Sequence, residues 1–136
     1  MMRPYRQALD ILRDAGLRPT RQRLGLARLL FDGGDRHVTA EHLHAEALGA
    51  NLPVSLATIY NTLHQFTQAG LLREVVVDPG RSYFDTNISA HHHFFHESTG
   101  DLRDIPADAM EVARVPMPPT GTVVERVDII VRVKSA

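Results

Sequence analysis

The densest chemistry in this chain is the stretch Ala90-His91-His92-His93-Phe94-Phe95-His96-Glu97, which holds four of its eight histidines. Neighbouring imidazoles repel when protonated, so such a cluster points to a ligand. In an extended segment His91 and His93 face one side and His92 the other. One face then offers two imidazoles to a single cation. Asp85 lies upstream and Asp104 downstream. Two imidazoles with two carboxylates make a mixed nitrogen and oxygen site, which suits Fe(II), Mn(II) or Zn(II) better than copper(I). His37 lies far earlier; if it joins this set, one ion ties two distant parts of the chain together. The competing reading is a histidine-rich strand edge facing solvent. His42 and His44, two apart on a helix, face apart and read as surface residues.

A second chemistry sits at the other end. Residues 1–30 carry seven arginines (Arg3, Arg6, Arg13, Arg18, Arg21, Arg23, Arg28) against Asp10 and Asp14, while residues 78–136 carry six basic and nine acidic groups. A basic start and an acidic second half suggest one face for a polyanion and one for cations or a partner. The plainer reading is a coding preference for arginine, since Lys134 is the only lysine. The chain has no cysteine, which excludes disulfides, thiolate zinc and thiol chemistry. No apolar run nears the ~18 residues of a membrane span. No signal-peptide core opens the chain, so export is not expected. A metallohydrolase needs an open metal position and a general base; there is no His-Glu-x-x-His and no evident nucleophile, so an enzyme is not expected.

These groups need elements to place them. Length and composition (136 residues, 43% hydrophobic, 23% charged) allow one domain or two small ones. Tyr5 to Ala15 has helical apolar spacing and stops at Gly16. Thr20 caps a second helix with Leu24, Ala27, Leu30 and Phe31 on its buried side. Thr39 caps a third, which ends before Asn51-Leu52-Pro53. Ser55 caps a fourth with the stripe Leu56, Ile59, Leu63 and Phe66, closed by Gly70. The period then shortens: residues 71–77 and 81–85 read as two strands around Asp78-Pro79-Gly80. Four helices and a hairpin, in this order, predict a winged helix-turn-helix over residues 1–84, whose fourth helix enters the major groove.

Residues 85–136 predict strands at 93–97 and 101–105, a helix over 106–115 and a long strand over 123–133. About fifty residues bury little core alone, so pairing with a second copy is expected. The fold class is α+β: an N-terminal winged helix-turn-helix followed by a small α/β dimerisation domain.

On the fourth helix, Ser55, Ala57, Thr58, Tyr60, Asn61 and His64 lie off the apolar stripe. Small residues near its start admit the backbone to the groove. Tyr60 suits a thymine methyl and Asn61 a base edge, unless Tyr60 packs in the core. Arg18, Arg21 and Arg23 suit phosphates or a minor groove, unless they are merely solvated. The DNA-reading set is therefore Arg18, Arg21, Arg23, Ser55, Thr58, Tyr60 and Asn61.

The stretches Gly16-Leu17-Arg18-Pro19-Thr20-Arg21-Gln22-Arg23, Arg36-His37-Val38-Thr39-Ala40-Glu41, Ser55-Leu56-Ala57-Thr58-Ile59-Tyr60-Asn61-Thr62-Leu63 and Ala69-Gly70-Leu71-Leu72 resemble the ferric uptake regulator superfamily. With the histidine cluster they cover most of the chain. Within that superfamily the chain is most similar to the iron response regulators (Irr) of alphaproteobacteria. The resemblance implies a homodimeric, cytoplasmic transcription factor that reads an AT-rich palindrome in double-stranded DNA. It implies a regulatory divalent ion at His37, Asp85, His91, His93 and Asp104, with Asp85 standing where many members have Glu. A four-cysteine zinc site is excluded, because His96 and Thr99 stand at the first pair's positions. A second metal site is expected to be weak or absent: His92 and Glu111 match two of its ligands, but Ala90 and Val127 replace others. The nearer likeness implies control by haem, which without cysteine uses imidazole ligation at His91, His92 or His93. The expected function is metal-dependent regulation of iron and haem homeostasis genes. The alternatives are a zinc- or manganese-responsive relative without haem sensing, and a DNA binder whose histidines only support dimer packing.

Overall fold

The computed structural model describes residues 6–136. The expected helix start at Tyr5, and Arg3, lie outside the described residues. The chain forms two compact units, the first running to Ile88 and the second starting at Ser89.

The first unit follows its capping residues. Helix α1 spans Arg6–Asp14, α2 Arg21–Phe31, α3 Ala40–Gly49 and α4 Leu56–Gln68. Thr20, Thr39 and Ser55 are extended, and their side-chain oxygens accept from the backbone N–H of Arg23, His42 and Thr58 at 3.2, 3.1 and 3.1 Å. Each satisfies one donor that the helix start leaves without an intrahelical partner. Gly70 closes α4 at φ 80°, a conformation that costs glycine least, while Leu71 N–H returns to Phe66 C=O at 2.9 Å. Asn51 takes φ 59° between α3 and α4, and Leu52 N–H reaches Ala47 C=O at 2.8 Å. That tight stop produces the helix-turn-helix. His44 does not sit free on the surface as expected. It is half-buried, and its Nε2 lies 3.0 Å from the Val54 carbonyl, tying α3 to the segment that leads into α4. His42 is exposed, as expected, beside Glu46.

The apolar stripes meet in one core of Leu26, Leu30, Leu43, Ile59, Leu63 and Phe66, all without solvent exposure. Each such side chain contributes about 1.5–3 kcal/mol by leaving water. Beside it lies an antiparallel sheet in the order β1-β3-β2, from β1 (His37–Val38), β2 (Arg73–Asp78) and β3 (Arg81–Asp85). Two residues are too few for a periodic signal, so β1 was not expected. It is pinned by Arg36. Arg36 N–H donates to Thr86 Oγ1 at 2.9 Å, and Thr86 N–H to Arg36 C=O at 3.1 Å. The Arg36 guanidinium forks onto both carboxylate oxygens of Glu46 in α3 and also reaches the Leu29 carbonyl of α2 at 3.1 Å.

That fork holds the Glu46 carboxyl below the usual carboxylate range and raises the Arg36 value, the hydrogen bond being the main cause of both. A depressed carboxyl stabilises the fold above its unfolded value, and the contribution is lost as pH falls through the folded value. Glu46→Gln is therefore expected to melt lower than wild type near neutral pH. The two melting temperatures should converge between about pH 5 and pH 3. An unchanged gap in a pH series of thermal melts would exclude this role.

The second unit is a three-stranded sheet in the order β5-β4-β6. Strand β4 (His92–His96) pairs antiparallel with β5 (Asp101–Ile105) and parallel with β6 (Ile130–Val133). The expected helix and the expected long strand are both shorter. The helix over 106–115 is only a three-residue 3-10 turn, Ala107–Ala109. Pro116 disfavours helix at Val115, and a run of this length needs a packed face, whereas Val112 and Val115 are exposed. The long strand over 123–133 is paired only along Ile130–Val133. Strand β4 is five residues long, and its ladder to β6 ends at His93 and His96. The residues before Ile129 find no strand beside them.

Candidate functional site

In the first unit the β1–β3 ladder sets His37 directly opposite Asp85. The His37 Nε2 lies 3.1 Å from Asp85 Oδ2, while Asp85 Oδ1 accepts from Asn87 N–H at 2.9 Å. Asp85 is fully buried. A buried carboxylate is costly unless a positive charge or several donors face it.

In the second unit His91 and His93 point to one side, as the alternation requires. Both are buried, with ring centroids 4.5 Å apart. His93 lies opposite Asp104 on β5. One oxygen of Asp104, Oδ1, lies 3.1 Å from His91 Nε2 and 3.2 Å from His93 Nε2. The Nδ1 of His91 is 2.6 Å from the Ser89 carbonyl, which fixes it as a donor. In the neutral ring Nε2 then carries a lone pair. That lone pair faces a carboxylate oxygen, an arrangement that needs a cation or proton to be favourable. The donor set thus fits a divalent ion. The ligand atoms of the three residues lie within 4.8 Å of one another, the spread of a single coordination shell. Imidazole with carboxylate suits Fe(II), Mn(II) or Zn(II).

The second expected pair is not brought into such a group. His92 Nδ1 accepts from Ile129 N–H at 3.1 Å, and Glu111 is exposed in irregular chain. Among the described residues, the grouping of metal-type ligands includes neither. The histidine on the other strand end, His96, bonds Ser98 and Ser135.

The residues expected to read DNA fall on α4 and on the approach to α2. Ser55 Oγ holds both the N–H and the hydroxyl of Thr58, so these two residues shape the helix start. Tyr60 and Asn61 are exposed, which removes the core alternative for Tyr60. Arg18 and Arg21 are exposed as well. Arg23 is used differently: its Nη1 donates to the Arg18 carbonyl at 3.0 Å and its Nη2 to Gln65 Oε1 of α4 at 2.9 Å. It braces α2 against α4. His64 faces Glu74 of β2 at 3.7 Å and the edge of Phe84.

Sequence reasoning missed Arg36, Glu46 and Glu41. Their partners lie ten, ten and nineteen residues away across a turn of the fold, and no spacing rule reports such pairs. Tyr60 donates to Glu41 at 2.6 Å. This bond lowers the Glu41 carboxyl and raises the Tyr60 hydroxyl from their ordinary values.

Residues 14–129 match the ferric uptake regulator family. The peroxide-responsive repressor PerR of Staphylococcus aureus (strain Mu50) is 35% identical over 99 residues, covering 72% of this chain and 66% of that protein, just under two thirds of its length. The ferric uptake regulator of Pseudomonas aeruginosa, solved with manganese, superposes with a TM-score of 0.69 at 25% identity, over 94% of this chain and 97% of that one. The ferric uptake regulator of Vibrio cholerae shares the fold, with a TM-score of 0.71 at 21% identity over 93% and 98%. The chain belongs to the ferric uptake regulator family.

Proposed function

We propose that this protein is a dimeric, metal-dependent regulator of transcription that binds operator DNA sequence-specifically, serving iron and haem homeostasis in the manner of the iron response regulators. The reading is carried by the meeting of imidazole nitrogens with carboxylate oxygens at 3.1–3.2 Å, in a chain that also holds a winged helix. His37 and Asp85 supply two donors and His91, His93 and Asp104 three. Two or three donors would leave such an ion largely to water, so all five are assigned to one divalent ion. Bound there, the ion supplies a cross-link between the wing and the second unit.

The residues around it do the rest. The Arg36 fork holds the strand of His37 against α2 and α3. The carbonyl of Ser89 orients the His91 ring. Exposed apolar residues in the second unit, Met117 and Val123 above all, support pairing with a second copy. Two reading helices then meet successive grooves only when the angle between units suits the half-site spacing. His91, His92 and His93 are the residues that would hold haem iron. His91 and His93 cannot serve both haem and the ion, so haem binding there is expected to release DNA. A cytoplasmic location follows from this role.

The test is selection of DNA from a random library by the purified protein with Mn(II), Zn(II) or Fe(II), and after chelation. Enrichment of a palindrome that disappears with chelation, and in His37→Ala, is expected; the same enrichment in all conditions overturns ion control. An absorbance titration with haem, with and without the selected DNA, decides the finer reading. The manganese-bound relative favours a second one, a manganese- or zinc-responsive regulator without haem sensing. In that case no Soret shift and no DNA release are seen.

A further inference from the structure

Helix α4 also reaches α3 from its exposed side. The Tyr60 hydroxyl donates to Oε1 of Glu41, in the first turn of α3. Both side chains are exposed, and the Tyr60 ring is flanked one turn on by His64, with centroids 6.5 Å apart. Glu41 and Tyr60 line a cleft shared with His64 of α4 and with Glu74, Arg81 and Ser82 of the wing, where the Arg81 guanidinium is engaged by Asp78 at 2.6 Å.

A hydroxyl that donates to a carboxylate has only lone pairs left to offer, and the carboxylate itself only accepts. The pair therefore presents an acceptor-only edge on the exposed side of the reading helix. A phosphate approaching it meets like charge, so its partner is a base edge, not the backbone. In the major groove adenine presents its N6 amino group and cytosine its N4 amino group, whereas guanine and thymine present carbonyl acceptors at the corresponding position.

We propose that Glu41 is a specificity-determining residue: held by Tyr60, it selects adenine or cytosine over guanine or thymine on the strand that it faces. The proposal rests on the reading of α4 as the groove-entering helix. It accounts for a carboxylate at a place where a nonspecific DNA surface would carry none.

The experiment compares DNA libraries selected by the full-length wild-type protein, Glu41→Gln and Tyr60→Phe, with folding checked by circular dichroism. Wild type is expected to show one position per half-site where adenine or cytosine is preferred roughly tenfold or more. Glutamine offers a donor as well as an acceptor, so Glu41→Gln should relax that position alone. Tyr60→Phe frees the carboxylate and should weaken the same preference while sparing the others. A Glu41 that only supports the fold would lower affinity for all sequences evenly and leave every base preference unmoved; that result overturns the proposal, as does a wild-type selection with no such position. If wild type enriches no sequence, the groove-reading assignment itself fails, and this proposal with it.

Discussion

His93→Ala is expected to end ion-dependent operator binding, with divalent-ion affinity falling about 100-fold or more. Loss of a residue that merely orients a metal ligand already costs 10–100-fold, and His93 is assigned as a ligand. The ring is almost wholly buried, and its Nε2 lies 3.2 Å from Asp104 Oδ1. Its removal also takes one of two imidazoles, the other being that of His91, away from Asp104 Oδ1. Isothermal titration with Mn(II), read beside fluorescence anisotropy on a selected operator, separates the two effects. His93→Gln controls for lost volume, since it fills most of the space without an imidazole nitrogen. Wild-type ion affinity and unchanged ion dependence in both variants would remove His93 from the ligand set.

The second large effect concerns helix α4. Phe66→Ala is expected to cost about 3–5 kcal/mol. Phe66 has no exposure, and its ring lies 6.3 Å from that of Phe31 on α2. It is the last residue of the stripe that presses α4 onto the rest of the first unit. Domains of this size hold only about 5–15 kcal/mol in total. At roughly 4–8 °C per kcal/mol, the melting temperature of the first unit should fall by about 12 °C or more. Operator binding should fall with the folded fraction, whether or not metal is present. A melting temperature within about 4 °C of wild type would show that the site collapses around the gap, and that Phe66 is not what anchors α4.

Local signals made much of this architecture legible. Thr20, Thr39 and Ser55 announce their helices because an N-cap acts within three residues, and each makes the expected bond. The alternation of His91, His92 and His93 is likewise local, and it placed two imidazoles on one side. Features created by distant pairing were not legible. Strand β1 exists because Arg36 and Thr86, fifty residues apart, exchange hydrogen bonds. Arg23 reads as a phosphate contact until Gln65, forty-two residues on, takes one of its donors. His44 reads as a surface residue until the Val54 carbonyl is placed beside it. The errors after Ile105 have the opposite origin. Residues 106–115 and 123–129 carry suitable local patterns, but a helix without a packed face and a strand without a neighbour gain too little to form.

The ladder that sets His37 against Asp85 also limits how this protein can change. Side chains in a strand alternate with a period of two, so adding or deleting one residue between Arg81 and Asp85 would turn the aspartate to the opposite face. Insertions at the Pro79-Gly80 tip leave that parity intact. The hairpin is therefore free to grow or shrink at its end, while the segment returning from it must keep its length.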